Sequence, residues 1–153
     1  MSFGVNLFIQ YLLMHDFPVK LPLRVDWSEM DLFGHVNNVA YFKYIQASRV
    51  NYWELTGIAV SFNETKIGPI LLSTSCQFIK PVFYPGNIVV EARMEFMKNT
   101  SFGIHHRILN DIGEVAAEAH DVIVNFDFGK NEKTTISEAF REAVNSIEGR
   151  IFE

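Results

Sequence analysis

The sequence contains a single cysteine, Cys76, and few basic residues for its length of 153. One cysteine excludes an internal disulfide and a cysteine-based metal cluster, which is compatible with a reducing compartment. Only 13 lysines and arginines stand against 18 aspartates and glutamates, and the formal net charge is −5. Such a balance gives no indication of an extended nucleic-acid surface. We therefore take cytoplasmic as the expected localisation and expect no nucleic-acid partner.

A long apolar run near the start of the chain is also missing. The segment 5–13 is far shorter than the roughly 20 residues that a membrane-spanning helix needs, and it lacks a basic leading region and a small-residue cleavage site. We expect neither export nor membrane insertion. Residues 1–14 are expected to form an N-terminal extension, with Met14 as a candidate natural start, and the alternative is a short docking helix.

Apolar and aromatic residues are plentiful instead. Hydrophobic residues make up 48% of the sequence, and 14 residues are phenylalanine. A chain of this length can bury one sizeable core, and so many aromatic rings favour a sheet together with a large core or a subunit interface. We interpret residues 1–153 as one domain with a core of about 20–128.

Period-two alternation, the pattern of a half-buried strand, recurs along the chain. Turn signals such as Tyr-Pro-Gly-Asn at 84–87 and Asn-Asp-Ile-Gly at 110–113 separate the alternating stretches. The predicted strands are 20–27, 70–79, 88–96, 102–108 and 114–127. Because the last three are joined by short connections, they are expected to form an antiparallel meander. Residues 61–68 are interpreted as a polar connection.

Two other stretches have helical spacing. The longer one begins near Asn38 and ends at Thr56, where Gly57 is a predicted stop, and its apolar stripe is Val39, Phe42, Ile45, Val50 and Trp53. The shorter one covers about 136–148, after a capping box from Thr135 to Glu138, with Ile136, Phe140, Val144 and Ile147 on its apolar side. One antiparallel sheet curled around one long helix is an α+β layout. Its sheet edges favour self-association.

The stretch 31–44, DLFGHVNNVAYFKY, places chemically useful groups just before the long helix. Gly34 permits a tight turn, and either of the two following asparagines can cap the helix. The first N–H groups of a helix have no internal partner and lie at its positive end, so they can hold an anion or a developing oxyanion. Asp31 and His35 then stand beside a site that can polarise a carbonyl group. The alternative role for Asp31 is that of a simple turn cap.

The motif DLFGHVNNVAY at 31–41 resembles the hot-dog-fold acyl-CoA thioesterases, the group that includes 4-hydroxybenzoyl-CoA thioesterase. Supporting similarities follow in the same order at Ser48-Arg49, Phe78-Ile79-Lys80-Pro81, Pro85-Gly86-Asn87 and Asn99-Thr100-Ser101-Phe102. The resemblance spans about 21–128. It implies a hot-dog fold, in which a curved antiparallel sheet wraps around a long central helix, here followed by a short C-terminal helix. The sequence departs from the 4-hydroxybenzoyl-type pattern at Glu29, where that type has a second aspartate.

The resemblance also implies roles for individual residues. Asp31 would attack the thioester carbonyl or activate water, and backbone N–H groups from His35 or Val36 would hold the oxyanion. The candidate substrate-binding residues are Asn37, Asn38, Tyr41, Phe33, Lys80, Lys98 and Ser101, the last three on connections where the resembling family meets the nucleotide. The expected substrate is an acyl-CoA or acyl-carrier-protein thioester. No metal and no cofactor beyond the coenzyme A of the substrate is expected, and the assembly is expected to be a homodimer or tetramer.

Three other functions stay open for this sequence. The order His-Val-Asn-Asn at 35–38 is similar to the branch of the fold that includes acyl-carrier-protein thioesterases. A hot-dog hydratase or dehydratase would use His35 and Asp31 as a pair, whereas a non-catalytic protein would bind acyl-CoA without turnover. The sequence has neither a phosphate-cradling glycine loop nor a Gly-x-Ser-x-Gly elbow, so nucleotide hydrolysis and serine-hydrolase chemistry have no motif to support them.

Overall fold

The computed structural model describes residues 16–153, so the predicted N-terminal extension 1–14 lies outside the described residues. The strands are β1 (Val19–Arg24), β2 (Ile67–Phe78), β3 (Asn87–Met97), β4 (Ser101–Leu109), β5 (Val115–Asp127) and the short β6 (Glu132–Lys133). The helices are α1 (Asn38–Thr56), α2 (Ile58–Thr65) and α3 (Glu138–Glu148), and a 3-10 turn covers Trp27–Glu29.

The strands form one antiparallel sheet in the order β1-β3-β4-β5-β2, with β6 added beside the end of β5. The sheet curls around α1, which contacts β1, β3 and β4. This arrangement confirms the predicted α+β fold with a long central helix. Among residues 16–153, no helix combines the length and the apolar character that crossing a membrane requires.

The bounds predicted for α1 are confirmed. Asn37 is its N-cap and accepts the N–H of Ala40 at 3.0 Å, while Gly57 ends it with a φ of 73° that suits glycine. The predicted apolar stripe is right for Ile45, which is buried, and for Trp53, which packs against the core, but Val39, Phe42 and Val50 are 60%, 37% and 43% exposed.

The face of α1 that packs against the sheet is rich in aromatic residues with polar tips. The buried residues of the helix are Ala40, Tyr41, Tyr44, Ile45, Ser48, Tyr52 and Thr56. The tyrosine rings supply apolar area, and their hydroxyl groups find acceptors, as in the bond from Tyr52 to Glu148 at 2.5 Å. A stripe that leaves out these tyrosines therefore misses most of the buried face.

The chain on either side of α1 also differs from the sequence prediction. β1 ends at Arg24 rather than Trp27, because Asp26 accepts a backbone N–H and turns the chain into the 3-10 turn. Part of the predicted polar connection 61–68 is helical, since it belongs to α2, which begins with the buried Ile58.

Two smaller differences concern the later elements. A bulge between Met94 and Phe96 shifts the alternation of β3, so that Met97, 5% exposed, takes the core position expected for Phe96. The N-cap of α3 is Ser137, so the predicted capping box that starts at Thr135 is wrong. The predicted apolar side of α3 packs into the core.

A buried polar network joins α1 to the sheet through Ser48, Arg49, His106 and Asp121. The Nδ1 and Nε2 atoms of His106 lie 3.1 Å from Ser48 Oγ and 2.9 Å from Asp121 Oδ2, and Arg49 Nε donates to the same carboxylate at 2.8 Å. Burial lowers the pKa of His106. Burial by itself raises the pKa of Asp121, but hydrogen bonds from His106 and Arg49 outweigh it and lower the pKa to about 2.

These shifts predict that the protein loses stability in mild acid. The pKa of His106 is lower in the folded chain than the roughly 6.5 of an unfolded one, so the unfolded chain binds the extra proton as the pH falls below that value. The free energy of unfolding should therefore fall by up to about 1.4 kcal/mol per pH unit and per proton. Urea denaturation at several pH values between 7 and 5 measures this slope.

The variant His106→Gln should have a shallower slope over the same range. Replacing the exposed Asn63 by glutamine is the control, which removes no titratable group and should keep the wild-type slope. An unchanged slope in His106→Gln would show that this histidine does not carry the pH dependence.

Candidate active site

The Asp31 loop, residues 30–36, is a tight turn closed by backbone hydrogen bonds. Met30 and Val36 form an isolated antiparallel bridge, and inside it the N–H of Asp31 donates to the carbonyl of His35 at 2.7 Å. Gly34 has a φ of 81°, which a residue with a side chain rarely adopts, and this explains the glycine at that turn. The loop leads directly into the first turn of α1.

The carboxylate of Asp31 is exposed and partly committed to this loop. Its Oδ1 atom accepts the N–H of Phe33 at 2.8 Å and that of His35 at 3.2 Å. Its Oδ2 atom makes no hydrogen bond to any residue within 16–153. Asp31 is therefore both the turn cap that the sequence allowed and a carboxylate with one oxygen still available for chemistry.

The backbone N–H groups predicted as oxyanion donors, those of His35 and Val36, already have acceptors within the protein. The N–H of His35 already donates to Asp31, and the N–H of Val36 donates to the carbonyl of Val82 at 2.9 Å. By contrast, the N–H groups of Asn38 and Val39, in the first turn of α1, have no acceptor in the described part of the chain. These are the donors that the helix start leaves available.

An open cleft of about 340 Å³ brings these groups together. It is lined by Asp31, His35, Val36, Asn38, Tyr41 and the segment 78–81. Tyr41 packs edge-on against Phe78, with ring centroids 5.1 Å apart, and burial raises the pKa of its phenol. Of the predicted substrate-binding residues, Asn38, Tyr41 and Lys80 thus line the same cleft as Asp31.

The other predicted substrate-binding residues do not line this cleft. The ring of Phe33 is 82% exposed, and the amide of Asn37 caps α1 while donating to the carbonyl of Glu29 at 2.8 Å. Lys98 and Ser101 flank the turn between β3 and β4, at the opposite end of the sheet from Asp31.

Glu29 links the Asp31 loop to α1 through hydrogen bonds. Its Oε2 atom accepts the hydroxyl of Tyr44 at 2.5 Å, and its carbonyl accepts the backbone N–H of Asn37 at 2.9 Å. Burial and this contact with Glu29 raise the pKa of Tyr44, which therefore stays a neutral donor. A glutamate at this position thus has a structural partner on α1.

Most of the chain matches one known protein family. The sequence profile of the thioesterase-like superfamily matches residues 25–144, which is well over half of the chain. The chain belongs to this superfamily. The match covers the Asp31 loop, all of α1 and the strands from β2 to β6.

Similar proteins and structures agree with this assignment. A thioesterase from Thermus thermophilus, solved in complex with coenzyme A and Zn, is 23% identical with a TM-score of 0.78, over 88% of this chain and 97% of that one. DHNA-CoA thioesterase from Staphylococcus aureus is 16% identical with a TM-score of 0.75, over 85% and 90% of the two chains. These likenesses show the hot-dog fold. YsmA of Bacillus subtilis is 26% identical over 92 residues, 60% of this chain but only 61% of YsmA.

Two other nucleophiles of this thioesterase-like chain are poorly placed for catalysis. Burial raises the pKa of Cys76 to about 11, which keeps its thiol protonated. Ser48, His106 and Asp121 are linked in the order of a serine-hydrolase triad, but each is fully buried, so a substrate cannot reach the serine. Within residues 16–153, no cluster of three or more histidine, cysteine, aspartate or glutamate residues has the geometry of a metal site.

The cap at Asn37 allows a test of how the loop is held. Asn37→Ala removes the acceptor for Ala40 N–H and the donor to Glu29, so the free energy of unfolding should fall by roughly 1 kcal/mol, within the usual range of about 0.5–2. Chemical denaturation measures it. Asn63→Ala, at an exposed position of α2, is the control and should change stability by less than about 0.5 kcal/mol. Equal stability of Asn37→Ala and wild type would mean that the cap does not hold the loop.

Proposed function

We propose that this chain is an acyl-CoA thioesterase that hydrolyses a thioester to free CoA and a carboxylic acid. The observation that carries the proposal is that one cleft contains both the carboxylate of Asp31 and the helix start at Asn38, where two backbone N–H groups lack an acceptor among the described residues. Family membership and the neighbour bound to coenzyme A support the substrate class.

Asp31 acts as a general base or as a nucleophile. As a base, its Oδ2 takes a proton from water, and the hydroxide adds to the thioester carbonyl. As a nucleophile, Oδ2 adds to the carbonyl itself and gives an anhydride, which water then cleaves. In both routes the carbon–sulfur bond breaks and the CoA thiolate leaves. In the base route Asp31 passes the proton that it took from water to the thiolate. In the nucleophilic route the thiolate takes a proton from solvent, and the water that cleaves the anhydride gives the carboxylic acid and restores Asp31. The bonds from Phe33 and His35 to Oδ1 hold the carboxylate in position for either role.

The N–H groups of Asn38 and Val39 stabilise the charge that develops on the carbonyl oxygen. They lie at the positive end of a helix 19 residues long, and a fixed donor there does not need to reorganise when the charge appears. Loss of one comparable donor in an oxyanion hole costs roughly 10²–10³ in rate.

The alternatives have less support from the geometry. A hydratase would need the ring of His35 to work with the Asp31 carboxylate, but that ring packs edge-on against Phe83 at 5.2 Å, and Asp31 bonds the backbone of His35 instead. The coenzyme A bound to the Thermus thermophilus neighbour favours an acyl-CoA substrate over an acyl-carrier-protein thioester. A cytoplasmic location stays a prediction based on the single cysteine.

We further propose that two copies associate through β2. It is the last strand of the sheet, its outer edge pairs with no other described strand, and Leu71, Leu72, Phe78 and Ile79 near it are exposed. Antiparallel pairing of β2 with its copy would place the Lys98 and Ser101 end of the partner's sheet at the same end as Asp31. The predicted role of Lys98 and Ser101 near the nucleotide then depends on the dimer.

Asp31→Asn tests the catalytic claim. Asparagine is isosteric and keeps the Oδ1 acceptor, but it cannot take a proton or attack, so the rate of thiol release from acyl-CoA should fall at least about 10²-fold. Calorimetry should show that CoA binding is retained.

Asp26→Asn is the matched control for this substitution. Asp26 is also exposed and also accepts a turn N–H at 2.8 Å, yet it does not line the cleft, so its variant should keep the wild-type rate. Full activity of Asp31→Asn would remove the catalytic role.

Leu72→Glu tests the assembly. The side chain is 63% exposed on the edge strand, and in the proposed dimer the substitution would place a buried charge from each chain at the interface. Sedimentation velocity should show monomers, whereas Val60→Glu on α2, at a position 75% exposed, should sediment like wild type. An unchanged oligomer in Leu72→Glu would exclude β2 as the interface.

A further inference from the structure

A second pocket of about 380 Å³ lies directly beside the Asp31 cleft. Both spaces are lined by Lys80 and Pro81, so the two meet at this pair of residues. The walls of the second pocket come from the segment 80–83 after β2 and from the turn between β4 and β5, together with Asn87. Its volume is in the range of small-molecule sites, roughly 300–1,000 Å³.

The walls of this pocket are held by specific contacts. The Oδ1 atom of Asp111 accepts the N–H of Asn87 at 2.8 Å, and Lys80 Nζ lies 2.8 Å from Glu114 Oε2. A Cβ on Gly86 would lie only 2.7 Å from the carbonyl oxygen of Phe83 and 2.8 Å from Asp111 Oδ2, so this close approach requires glycine. The connection between β4 and β5 is therefore joined to the start of β3 through Asp111 and to the segment after β2 through Glu114.

The chemistry of the lining favours an apolar group. Pro81, Val82, Phe83 and Ile112 contribute apolar surface, and Phe83 and Ile112 are 53% and 77% exposed at its mouth. The charged groups are the carboxylates of Asp111 and Glu114, and the one lysine in the lining is paired with Glu114. With Glu114 neutralised by Lys80, the carboxylate of Asp111 leaves the lining with a net negative charge, which disfavours the phosphates of coenzyme A.

Two residues that line the pocket also contact the Asp31 loop. Val82 accepts the N–H of Val36 at 2.9 Å, and Phe83 packs against the ring of His35. A thioester bound between Asp31 and the start of α1 would therefore be separated from this apolar pocket only by Lys80 and Pro81.

We infer that the pocket between the segment 80–83 and the turn 110–113 is the acyl subsite, and that it takes the distal part of an aliphatic acyl chain of medium length. Ile112 and Phe83 determine how far the chain extends. The inference rests on the proposed thioesterase activity, because it assigns the acyl half of that substrate.

Ile112→Trp tests this assignment, because the larger side chain fills the mouth of the pocket. The measurement is the ratio of kcat/KM for octanoyl-CoA to that for acetyl-CoA, followed by thiol release. Because each methylene that loses its apolar contact alters selectivity by about 10-fold or more, the ratio should fall at least tenfold relative to wild type. Position 112 is exposed in a turn, so folding of the variant is expected to be unaffected.

Ile151→Trp is the matched control. Ile151 is 80% exposed and lines neither the cleft nor the pocket, so its variant should keep the wild-type ratio. A tenfold fall in the Ile112 variant alone supports the acyl subsite. An unchanged ratio in both variants, with hydrolysis intact, overturns the subsite and leaves the thioesterase proposal standing.

A binding measurement separates failure of the subsite from failure of the activity. In the Asp31→Asn background, calorimetric titration with octanoyl-CoA and with acetyl-CoA compares their affinities without turnover. The subsite predicts tighter binding of octanoyl-CoA, and addition of Ile112→Trp should remove the difference. If wild type hydrolyses no acyl-CoA, the proposed function fails; equal affinities for the two ligands overturn the subsite.

Discussion

The hydrogen bond from the N–H of Val36 to the carbonyl of Val82 determines how the site is built. It ties the loop that carries Asp31 to the segment after β2, and through that segment to the start of β5, whose Ala116 carbonyl accepts the N–H groups of Ile79 and Lys80. These bonds use the N–H groups of Val36, Ile79 and Lys80, whereas those of Asn38 and Val39, in the first turn of α1, have no acceptor among residues 16–153. The proposed oxyanion donors are therefore N–H groups that the start of a helix leaves without an internal partner.

The same helix is anchored to the sheet further along by the buried polar network around His106 and Asp121. Removing one partner from such a network leaves an uncompensated buried charge or polar atom, which costs far more than the contact itself contributes. The interior therefore specifies one position for α1 relative to β4 and β5. Arg49 and Ser48, on the turn of α1 between Tyr44 and Tyr52, take part in this anchoring rather than in the cleft.

Much of the fold could be predicted from the sequence, because strand alternation and turn residues are local signals. The bounds of α1 follow from Asn37 and Gly57, whose capping roles depend only on their own backbone. The buried face of α1 could not be predicted in this way, since Tyr41 and Tyr44 are buried only because acceptors on distant segments meet their hydroxyl groups. The bulge in β3, which moves Phe96 out of the core position, likewise depends on pairing with β4.

For the candidate site, the motif predicted Asp31 and donors at His35 and Val36, whereas the N–H groups without an acceptor in residues 16–153 include those of Asn38 and Val39. The spacing of residues in the sequence does not show which N–H groups near the start of a helix already have an acceptor. The acceptor for the N–H of Val36, for example, is the carbonyl of Val82, far along the chain. Lys98 and Ser101 could not be placed either, because their position relative to the cleft depends on the topology of the sheet, which puts them at its opposite end. Ser48-Arg49 supported the family resemblance without a predicted role, and the structure shows Ser48 bonded to His106 and Arg49 bonded to Asp121.

The most direct test of this account is a crystal structure of Asp31→Asn with an acyl-CoA bound. The account predicts that the thioester carbonyl oxygen lies about 2.7–3.1 Å from the N–H of Asn38 or Val39, with its carbon next to the side chain at position 31. A thioester bound with its carbonyl directed away from the start of α1, or in a different part of the molecule, would contradict it.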